Sequence, residues 1–278
     1  MSRVFVLAID GLEYYLVKDW GLENLMQETY GRYELSYGYY HADEHVPFTP
    51  IIWASFVTGL PPEKHNVRSI FTYGRFLDFV RNLSFVKRFR GKRKVLWRLG
   101  LRPRLVDKRD LARVTFFDLI KPSVAVDVPA YNEPTEVNLR LGQTLMSKGL
   151  EEYVREVWRV YEDRKRRVFE SVEGDWRLFM AYFKIADLLG HVYIAKNLKG
   201  LRRVYFVLDD LAFELKRRVP EDTVFLIVSD HGMEPQPDGT GNHSSHGFYS
   251  LNFETDWKPK DVTDFHKKII ELVKPQLS

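Results

Sequence analysis

The sequence contains no cysteine, and its uninterrupted apolar runs are short. The absence of cysteine excludes disulfide bonds, thiolate-bound zinc and a thiol nucleophile, and it is compatible with a reducing compartment. The N-terminal apolar run, Val4 to Ile9, is too short for the core of a signal peptide or for a membrane span. No other run is long enough to cross a bilayer. We therefore expect a soluble, cytoplasmic protein without a transmembrane segment.

Positive charge is concentrated in one stretch of the chain. Residues 81–113 carry thirteen Lys and Arg side chains against two Asp, whereas the remainder of the chain is net acidic. We predict a small basic cap inserted at 81–134 within a single domain that covers residues 1–278. The cap is either a solvated lid or a surface that attracts a phosphate-rich partner such as nucleic acid or anionic lipid.

Apolar patterning predicts alternating strands and helices. Buried strands are predicted by continuous apolar segments at 3–9, 176–185 and 223–229, and by a shorter one at 123–129. Helices are predicted by apolar residues at spacings of three and four over 148–171, 199–218 and 261–276. This alternation is typical of an α/β fold in which a mostly parallel central sheet carries helices on both faces.

Three of the predicted strands end on side chains that can bind metal. These are Asp10 after the first strand, Asp187 and His191 after the second, and Asp230 and His231 after the third. Functional sites of open parallel sheets collect beyond the carboxyl ends of the strands. We therefore expect three carboxylates and two imidazoles to converge from distant parts of the chain.

Carboxylate and imidazole together suit zinc, and also manganese or iron. Five candidate ligands are more than one tetrahedral ion needs and fit two ions better, especially if His243 adds a sixth. Two neighbouring metals stabilise the attacking and leaving oxygens of phosphoryl displacement. Thr49 is a candidate nucleophile, because it would cap a helix that runs from Pro50 to Gly59 and whose positive N-terminus favours an alkoxide. Ser55, further along that helix, is better explained by core packing.

Five motifs share their order with a known family. They are IDG, PFTPIIWASFVTGLPPEKHNV, ADLLGH, SDHGM and GNHSSHGF, and they span residues 6–250. Together they resemble the alkaline phosphatase superfamily and, within it, the type I phosphodiesterase and nucleotide pyrophosphatase branch. TGLPPEKHNV is similar to the TGL-x-PE-x-HG-I segment of that branch, and the similarity places Thr49 at the nucleophile. The resemblance implies an alkaline phosphatase-like fold.

The resemblance also implies a ligand set for two divalent metals, with zinc preferred over manganese or iron. One metal would be held by Asp10, Thr49, Asp230 and His231. The other would be held by Asp187, His191 and a late histidine. For the last ligand we prefer His243, because GNHSSHGF resembles the family's G-x-H-x-x-x-G pattern, and His246 is the alternative.

One position departs from the family. Members that act on nucleotides often carry an Asn three residues after the nucleophile, where it contacts the phosphate, and this chain has Ile52 there. The backbone of Pro50 cannot donate a hydrogen bond either. The phosphate donor must therefore come from elsewhere, or the substrate differs.

We expect a phosphoric ester hydrolase that cleaves phosphodiester or pyrophosphate bonds through a covalent phospho-threonine intermediate. Its substrate would be a small phosphate ester or a nucleotide. One alternative is a phosphomonoesterase of the same superfamily, whose free phosphate oxygens the Arg-rich lid could contact. Another is a non-catalytic nucleic-acid-binding protein on the same fold, against which the intact ligand set argues. The sequence leaves the oligomeric state open.

Overall fold

The computed structural model describes residues 3–42, 45–73, 103–111 and 113–273. Residues 81–102 and 112 of the predicted basic cap therefore lie outside the described residues. None of the described helices combines the length and the apolar character that a membrane span requires.

Ten strands, eleven α-helices and one 3-10 helix (Tyr37–Tyr39) are present in the described residues. The strands are β1 (Val4–Ile9), β2 (Thr29–Glu34), β3 (Phe71–Thr72), β4 (Arg104–Leu105), β5 (Ser123–Val126), β6 (Leu178–Phe183), β7 (Val224–Val228), β8 (Gly232–Pro235), β9 (Gly241–Ser244) and β10 (His246–Leu251). The helices are α1 (Tyr14–Asp19), α2 (Glu23–Met26), α3 (Thr49–Thr58), α4 (Pro62–His65), α5 (Lys108–Leu111), α6 (Phe116–Leu119), α7 (Thr135–Lys148), α8 (Leu150–Val172), α9 (Ile185–Tyr193), α10 (Leu198–Lys216) and α11 (Asp264–Val273).

Six of the strands form the central sheet, in the order β2-β10-β7-β1-β6-β5. Strand β1 lies at its centre and runs parallel to both β6 and β7, and β5 runs parallel to β6. Strand β10 is antiparallel to both of its neighbours. The prediction of an α/β fold with a mostly parallel central sheet is confirmed.

The central strands are buried on both faces, which explains their continuous apolar sequences. Every residue of β1 and β6 is buried. Alternate residues of β1 belong to two separate cores, with Phe5, Leu7 and Ile9 in one and Val4, Val6 and Ala8 in the other. Helices α8, α9 and α10 contribute to the first core, and α3, α6 and α11 contribute to the second. Helices therefore cover both faces of the sheet.

The register of the strands brings their carboxyl ends together. Ile9 at the end of β1 lies opposite Phe183 at the end of β6, and Ala8 lies opposite Val228 of β7. The chain therefore leaves these three strands at the same edge of the sheet, where the predicted ligands follow.

The end of the predicted insertion belongs to the sheet. Residues 123–126 form β5, which pairs with β6 from Ser123 opposite Leu178 to Val126 opposite Ala181. Nearby, Phe116 and Phe117 of α6 are buried in the second core. The chain therefore rejoins the central layers before residue 134.

Candidate metal centre

Seven of the predicted side chains meet at the carboxyl edge of the sheet. They are Asp10 after β1, Thr49 at the start of α3, Asp187 and His191 on α9, Asp230 and His231 after β7, and His243 on β9. Five of these residues, Asp10, Asp187, Asp230, His231 and His243, form two groups of potential metal ligands that share His231.

The first group contains Asp10, Asp230 and His231, and its ligand atoms lie within 4.8 Å of one another. His231 Nε2 is 3.2 Å from Asp10 Oδ1 and 3.4 Å from Asp230 Oδ2. Thr49 Oγ1 is 3.1 Å from His231 Nε2 and 3.5 Å from Asp10 Oδ1. The threonine hydroxyl therefore borders this group directly.

The second group contains Asp187, His231 and His243, again with ligand atoms within 4.8 Å of one another. His243 Nε2 is 3.3 Å from Asp187 Oδ1, and the His243 ring stacks on the His231 ring with centroids 3.7 Å apart. His191 joins this group, since its Nε2 is 3.2 Å from Asp187 Oδ1 and 3.1 Å from His243 Nε2.

The three histidines are oriented in the same way by backbone carbonyls. The Nδ1 atoms of His191, His231 and His243 lie 2.7, 2.9 and 2.7 Å from the carbonyl oxygens of Gly241, Gly232 and Pro47. A carbonyl can only accept, so Nδ1 carries the proton and donates it in each case. The lone pair of the neutral ring is then on Nε2, which faces the carboxylates and is available to a metal.

Asp230 is buried, and it lacks a hydrogen bond from the described residues. Neither of its carboxylate oxygens has a hydrogen-bond partner among the described residues. Burial, together with the nearby negative charge of Asp10, raises the pKa of Asp230 well above its ordinary value. An unpaired buried carboxylate costs several kcal/mol, and a bound cation removes that cost. The donor set therefore fits metal ions.

Asp187 has partners, but they are themselves potential ligands. Burial alone would raise the pKa of Asp187 and lower that of His191. Hydrogen bonds from His191 and His243 instead hold the pKa of Asp187 well below its usual range, and Asp187 raises the pKa of His191 to about 9. In the protein alone, a proton on the His191 ring balances the carboxylate charge. A metal would displace that proton as it binds.

His246 lies in neither group. Its Nε2 is 2.9 Å from Glu13 Oε1. Glu13 is buried and also accepts hydrogen bonds from the backbone N–H of Met233 and from Ser244 Oγ, both at 3.0 Å. The Glu13–His246 pair thus ties the end of β1 to β8, β9 and β10. Sequence analysis missed Glu13, which carried no signal beyond its place after the IDG motif.

Helix α3 presents Thr49 to the site. The helix begins at Thr49 itself, and Phe48 occupies the N-cap position without a side-chain hydrogen bond. The expectation that Thr49 caps the helix is therefore wrong by one position. Because its hydroxyl does not cap the helix, it is available to Asp10 and His231. Gly59 ends the helix in a left-handed conformation, as predicted, with φ of 65°.

The other candidates on and near α3 are structural. Ser55 is fully buried, and its Oγ lies 2.9 Å from His65 Nε2. His65 is also fully buried, and its Nδ1 accepts the backbone N–H of Val67 at 3.1 Å. Ile52, at the position of the family's Asn, is fully buried in the second core. It contributes packing and no hydrogen bond.

A cavity of about 180 Å³ adjoins the two groups and is lined by Asp10, Thr49 and Asp187. Its wall also contains Pro129, Ala130 and Glu133, which belong to the segment that follows β5. Four polar residues of the wall had no individual role assigned from the sequence, namely Glu133, Asn138, Tyr182 and Lys184. Among these four residues, the one sequence feature that indicated a functional role was the charge of Lys184 near the end of the apolar segment 176–185.

Tyr182 on β6 supports the site through a hydrogen bond to Asp10. Its buried hydroxyl donates a hydrogen bond to Asp10 Oδ2. This bond fixes the orientation of the Asp10 carboxylate, whose other oxygen faces His231 and Thr49. Support of this kind normally accompanies carboxylates that bind metal.

The chain is similar to a protein family and to several solved structures. The profile of the family described as Type I phosphodiesterase / nucleotide pyrophosphatase matches residues 4–252. Murine ectonucleotide pyrophosphatase/phosphodiesterase 5 is 14% identical, with a TM-score of 0.49 over 85% of this chain and 59% of that one. Phosphonoacetate hydrolase from Sinorhizobium meliloti, in complex with phosphonoformate, is 13% identical, with a TM-score of 0.46 over 86% of this chain and 59% of that one. No curated protein sequence matched the chain.

Proposed function

The chain belongs to the type I phosphodiesterase and nucleotide pyrophosphatase family, as its motifs predicted, and from this premise we propose that it is a metal-dependent phosphoesterase. The bonds cleaved are phosphodiester or pyrophosphate bonds of small molecules, nucleotides included. One observation carries the proposal. A threonine hydroxyl lies 3.1 Å from a histidine nitrogen that belongs to both groups of metal-ligand atoms.

We assign two divalent cations to the site, with zinc preferred over manganese or iron. Asp10, Thr49, Asp230 and His231 would hold one, and Asp187, His191 and His243 would hold the other. When bound, the cations supply Lewis-acid stabilisation of the charge that develops on the phosphoryl oxygens. The unpaired carboxylate of Asp230 and the common orientation of the three imidazoles support this assignment.

We assign Thr49 as the nucleophile. Its oxygen would attack phosphorus in line and displace one ester or pyrophosphate oxygen, leaving a phospho-threonine that water hydrolyses in a second step. The N-terminus of α3 places partial positive charge beside that oxygen, which favours both the alkoxide and the phosphate group. Asp10 Oδ1, at 3.5 Å, is within reach of the hydroxyl proton.

The charge of the cavity favours a diester over a monoester. A monoester carries an additional negative charge, and phosphomonoesterases need cationic contacts for its free oxygens. Among the described residues that line the cavity, Lys184 is the one basic side chain, and its ammonium is 2.6 Å from Glu133 Oε1. That pair brings little net positive charge to a second free oxygen.

The test compares hydrolysis of bis-p-nitrophenyl phosphate and p-nitrophenyl phosphate by the chain loaded with zinc or manganese. The diester should be preferred. Thr49→Ala should lower kcat/KM for it by more than about 10³-fold, because the attacking oxygen is gone. Ser55→Ala, on the same helix, is the matched control and should stay active. Full activity of Thr49→Ala would refute the assigned nucleophile.

A further inference from the structure

Three polar side chains in the cavity wall form a closed hydrogen-bonded triangle. Lys184 Nζ donates to Glu133 Oε1 at 2.6 Å and to Asn138 Oδ1 at 2.8 Å. Asn138 Nδ2 completes the triangle with a hydrogen bond of 3.1 Å to Glu133 Oε1. The side chains of Lys184 and Glu133 are only 6% and 11% exposed. A buried cluster of this kind has well-defined positions, unlike an ion pair on the surface.

Separate elements supply the three residues. Lys184 is the N-cap residue of α9, directly after β6, Asn138 lies on α7, and Glu133 lies in the loop that follows β5. Asn132, next to Glu133, ties the loop back to β5, since its side chain accepts from Val128 N and donates to Ala125 O, both at 2.8 Å.

A buried ion pair anchors the start of the same loop. Asp127, which has a positive φ of 54°, accepts a hydrogen bond of 2.8 Å from Arg164 Nε and further bonds from Arg167. Arg164 is 1% exposed. Held at Asp127 and at Asn132, the loop offers Glu133 to the cavity in a fixed position, as a binding subsite requires.

The triangle retains unused hydrogen-bonding capacity. An ammonium has three N–H donors, and the described residues accept two of those of Lys184. Glu133 Oε2 accepts no hydrogen bond from a described residue, because the contacts of this side chain all involve Oε1. The cluster therefore presents a free donor beside a free acceptor. The charges of Lys184 and Glu133 offset each other, so the cluster suits a neutral group that both donates and accepts better than it suits a second anion.

The remainder of the wall is largely apolar. It is formed by Pro50, Ile70, Leu105, Val106, Pro129, Ala130 and Leu188. Small-molecule sites commonly combine an apolar wall with a few convergent polar groups that fix orientation. Here the polar groups and the nucleophile Thr49 line one and the same cavity.

We propose that Lys184, Glu133 and Asn138 form a subsite for a hydroxyl-bearing substituent of the substrate, meaning a polyol or a sugar esterified to the phosphorus that Thr49 attacks. The inference rests on the proposed function. The Glu133 carboxylate accepts from one hydroxyl of the substituent and the Lys184 ammonium donates to another, while the apolar wall packs against its carbon skeleton. The cluster thereby selects among phosphodiesters by the group they carry.

Two matched substrates test the proposal. One is a phosphodiester with a p-nitrophenyl and a 2,3-dihydroxypropyl group, and the other replaces the latter by n-propyl. Cleavage is followed by phosphorus-31 NMR, so that a break on either side of the phosphorus is counted. The metal-loaded chain should prefer the dihydroxypropyl ester in kcat/KM by at least about tenfold, the value of one or two hydrogen bonds to charged groups.

Variants of the triangle should remove that preference selectively. Glu133→Gln and Lys184→Met should bring the ratio of the two kcat/KM values close to one, by lowering the value for the dihydroxypropyl ester more than the value for the propyl ester. Asn138→Ala, which leaves the ion pair in place, should reduce the ratio less and serves if Lys184→Met does not fold. Glu136→Gln, an exposed change in the first turn of the same helix, should keep the full preference.

Equal cleavage of the two esters by the parent would overturn the proposed subsite but would leave the proposed function intact. The same holds if the variants reduce both activities in proportion, because the cluster would then act on the phosphate or on the fold. If the parent cleaves neither ester, the proposed function fails and the subsite fails with it.

Discussion

The three imidazoles of the site differ from His246 in what holds them. His191, His231 and His243 each donate from Nδ1 to a backbone carbonyl and turn Nε2 toward the other site residues, whereas His246 uses Nε2 to contact Glu13. The first arrangement is that of a metal ligand with its supporting acceptor. The second is that of a structural ion pair, which joins the segment after β1 to β10.

We predict different consequences for His243→Ala and His246→Gln. The His243 variant should lose about one metal ion per chain, because the second group loses a nitrogen that lies 3.3 Å from Asp187. The His246 variant should keep its metals and lose about 1–3 kcal/mol of stability, since Glu13 loses a buried partner. Elemental analysis and urea unfolding distinguish the two. Metal loss in His246→Gln with normal content in His243→Ala would reverse the assignment.

Asp230→Asn should have opposite effects with and without metal. Without metal the variant should be more stable by up to about 1–3 kcal/mol, because a buried carboxyl whose pKa is raised by burial and by Asp10 is replaced by an amide that can donate to Asp10. With zinc or manganese present, the stabilisation that a bound ligand gives the native state should be smaller than in the parent. Thermal unfolding with and without EDTA measures both. Asp222→Asn, an exposed change, should alter neither. Equal stabilisation of parent and variant by metal would exclude Asp230 as a ligand.

His65 should make the protein sensitive to acid. Burial lowers the pKa of His65 to about 4, whereas the unfolded chain has a value near 6.5. The unfolded state therefore binds the proton first as the pH falls below about 6.5, and stability decreases until about pH 4, by up to about 3 kcal/mol. His65→Gln should be less stable at pH 7 but should lose less between pH 6.5 and 4. Urea midpoints across this range provide the check, and parallel curves for parent and variant would contradict the expectation.

Sequence alone could identify the site residues that terminate apolar strands or belong to motifs. Asp10, Asp187 and Asp230 were visible because a charge follows each buried segment. Glu133 and Asn138 were not visible, since nothing in their local sequence shows that the loop after β5 and helix α7 approach the end of β6. Their roles depend on tertiary packing, which no local pattern contains.

At the scale of elements, the close contact between the end of β1 and the start of α9 decides the geometry. Gly11 has φ of 70°, and a Cβ atom placed there would lie 2.6 Å from the Asp187 Cα. Only glycine permits both the left-handed backbone and this approach. The contact sets the distance between Asp10 and Asp187 and hence between the two groups of ligands.

Gly11→Ala should therefore damage the site beyond its effect on stability. We expect about a hundredfold loss of kcat/KM, the order of effect of displacing reacting groups by about 1 Å. Gly142→Ala on α7 is the control, because no atom lies within 4 Å of its added methyl group, and it should be neutral or stabilising by up to about 1 kcal/mol. Steady-state kinetics with thermal melts separate the effects. Normal activity in Gly11→Ala would show that the approach of β1 to α9 does not limit catalysis.

The elements themselves followed from apolar patterning to a large degree. Predicted strands 3–9, 176–185 and 223–229 correspond to β1, β6 and β7, and predicted helices 148–171 and 199–218 correspond to α8 and α10. The strand predicted at 123–129 corresponds to β5, so the part of the predicted cap 81–134 that contains it pairs with the central sheet. Basic composition alone did not show where the chain returns to that sheet.

At the scale of the whole molecule, the parallel sheet converts distant sequence positions into one site. Strand β1 is central, and its neighbours β6 and β7 come from positions more than half the chain away. The common direction of these strands brings three carboxylates to one edge, where mutual repulsion must be offset. The fold positions the charges, and we propose that two cations stabilise them.

Anomalous diffraction from crystals grown with zinc or manganese tests that central claim most directly. We predict two peaks roughly 4 Å apart, as in other two-metal sites. One should lie among Asp10, Asp230 and His231, within bonding distance of Thr49 Oγ1, and the other among Asp187, His191 and His243. A folded chain that shows no peak at these side chains, or a single peak remote from Thr49, would contradict the account.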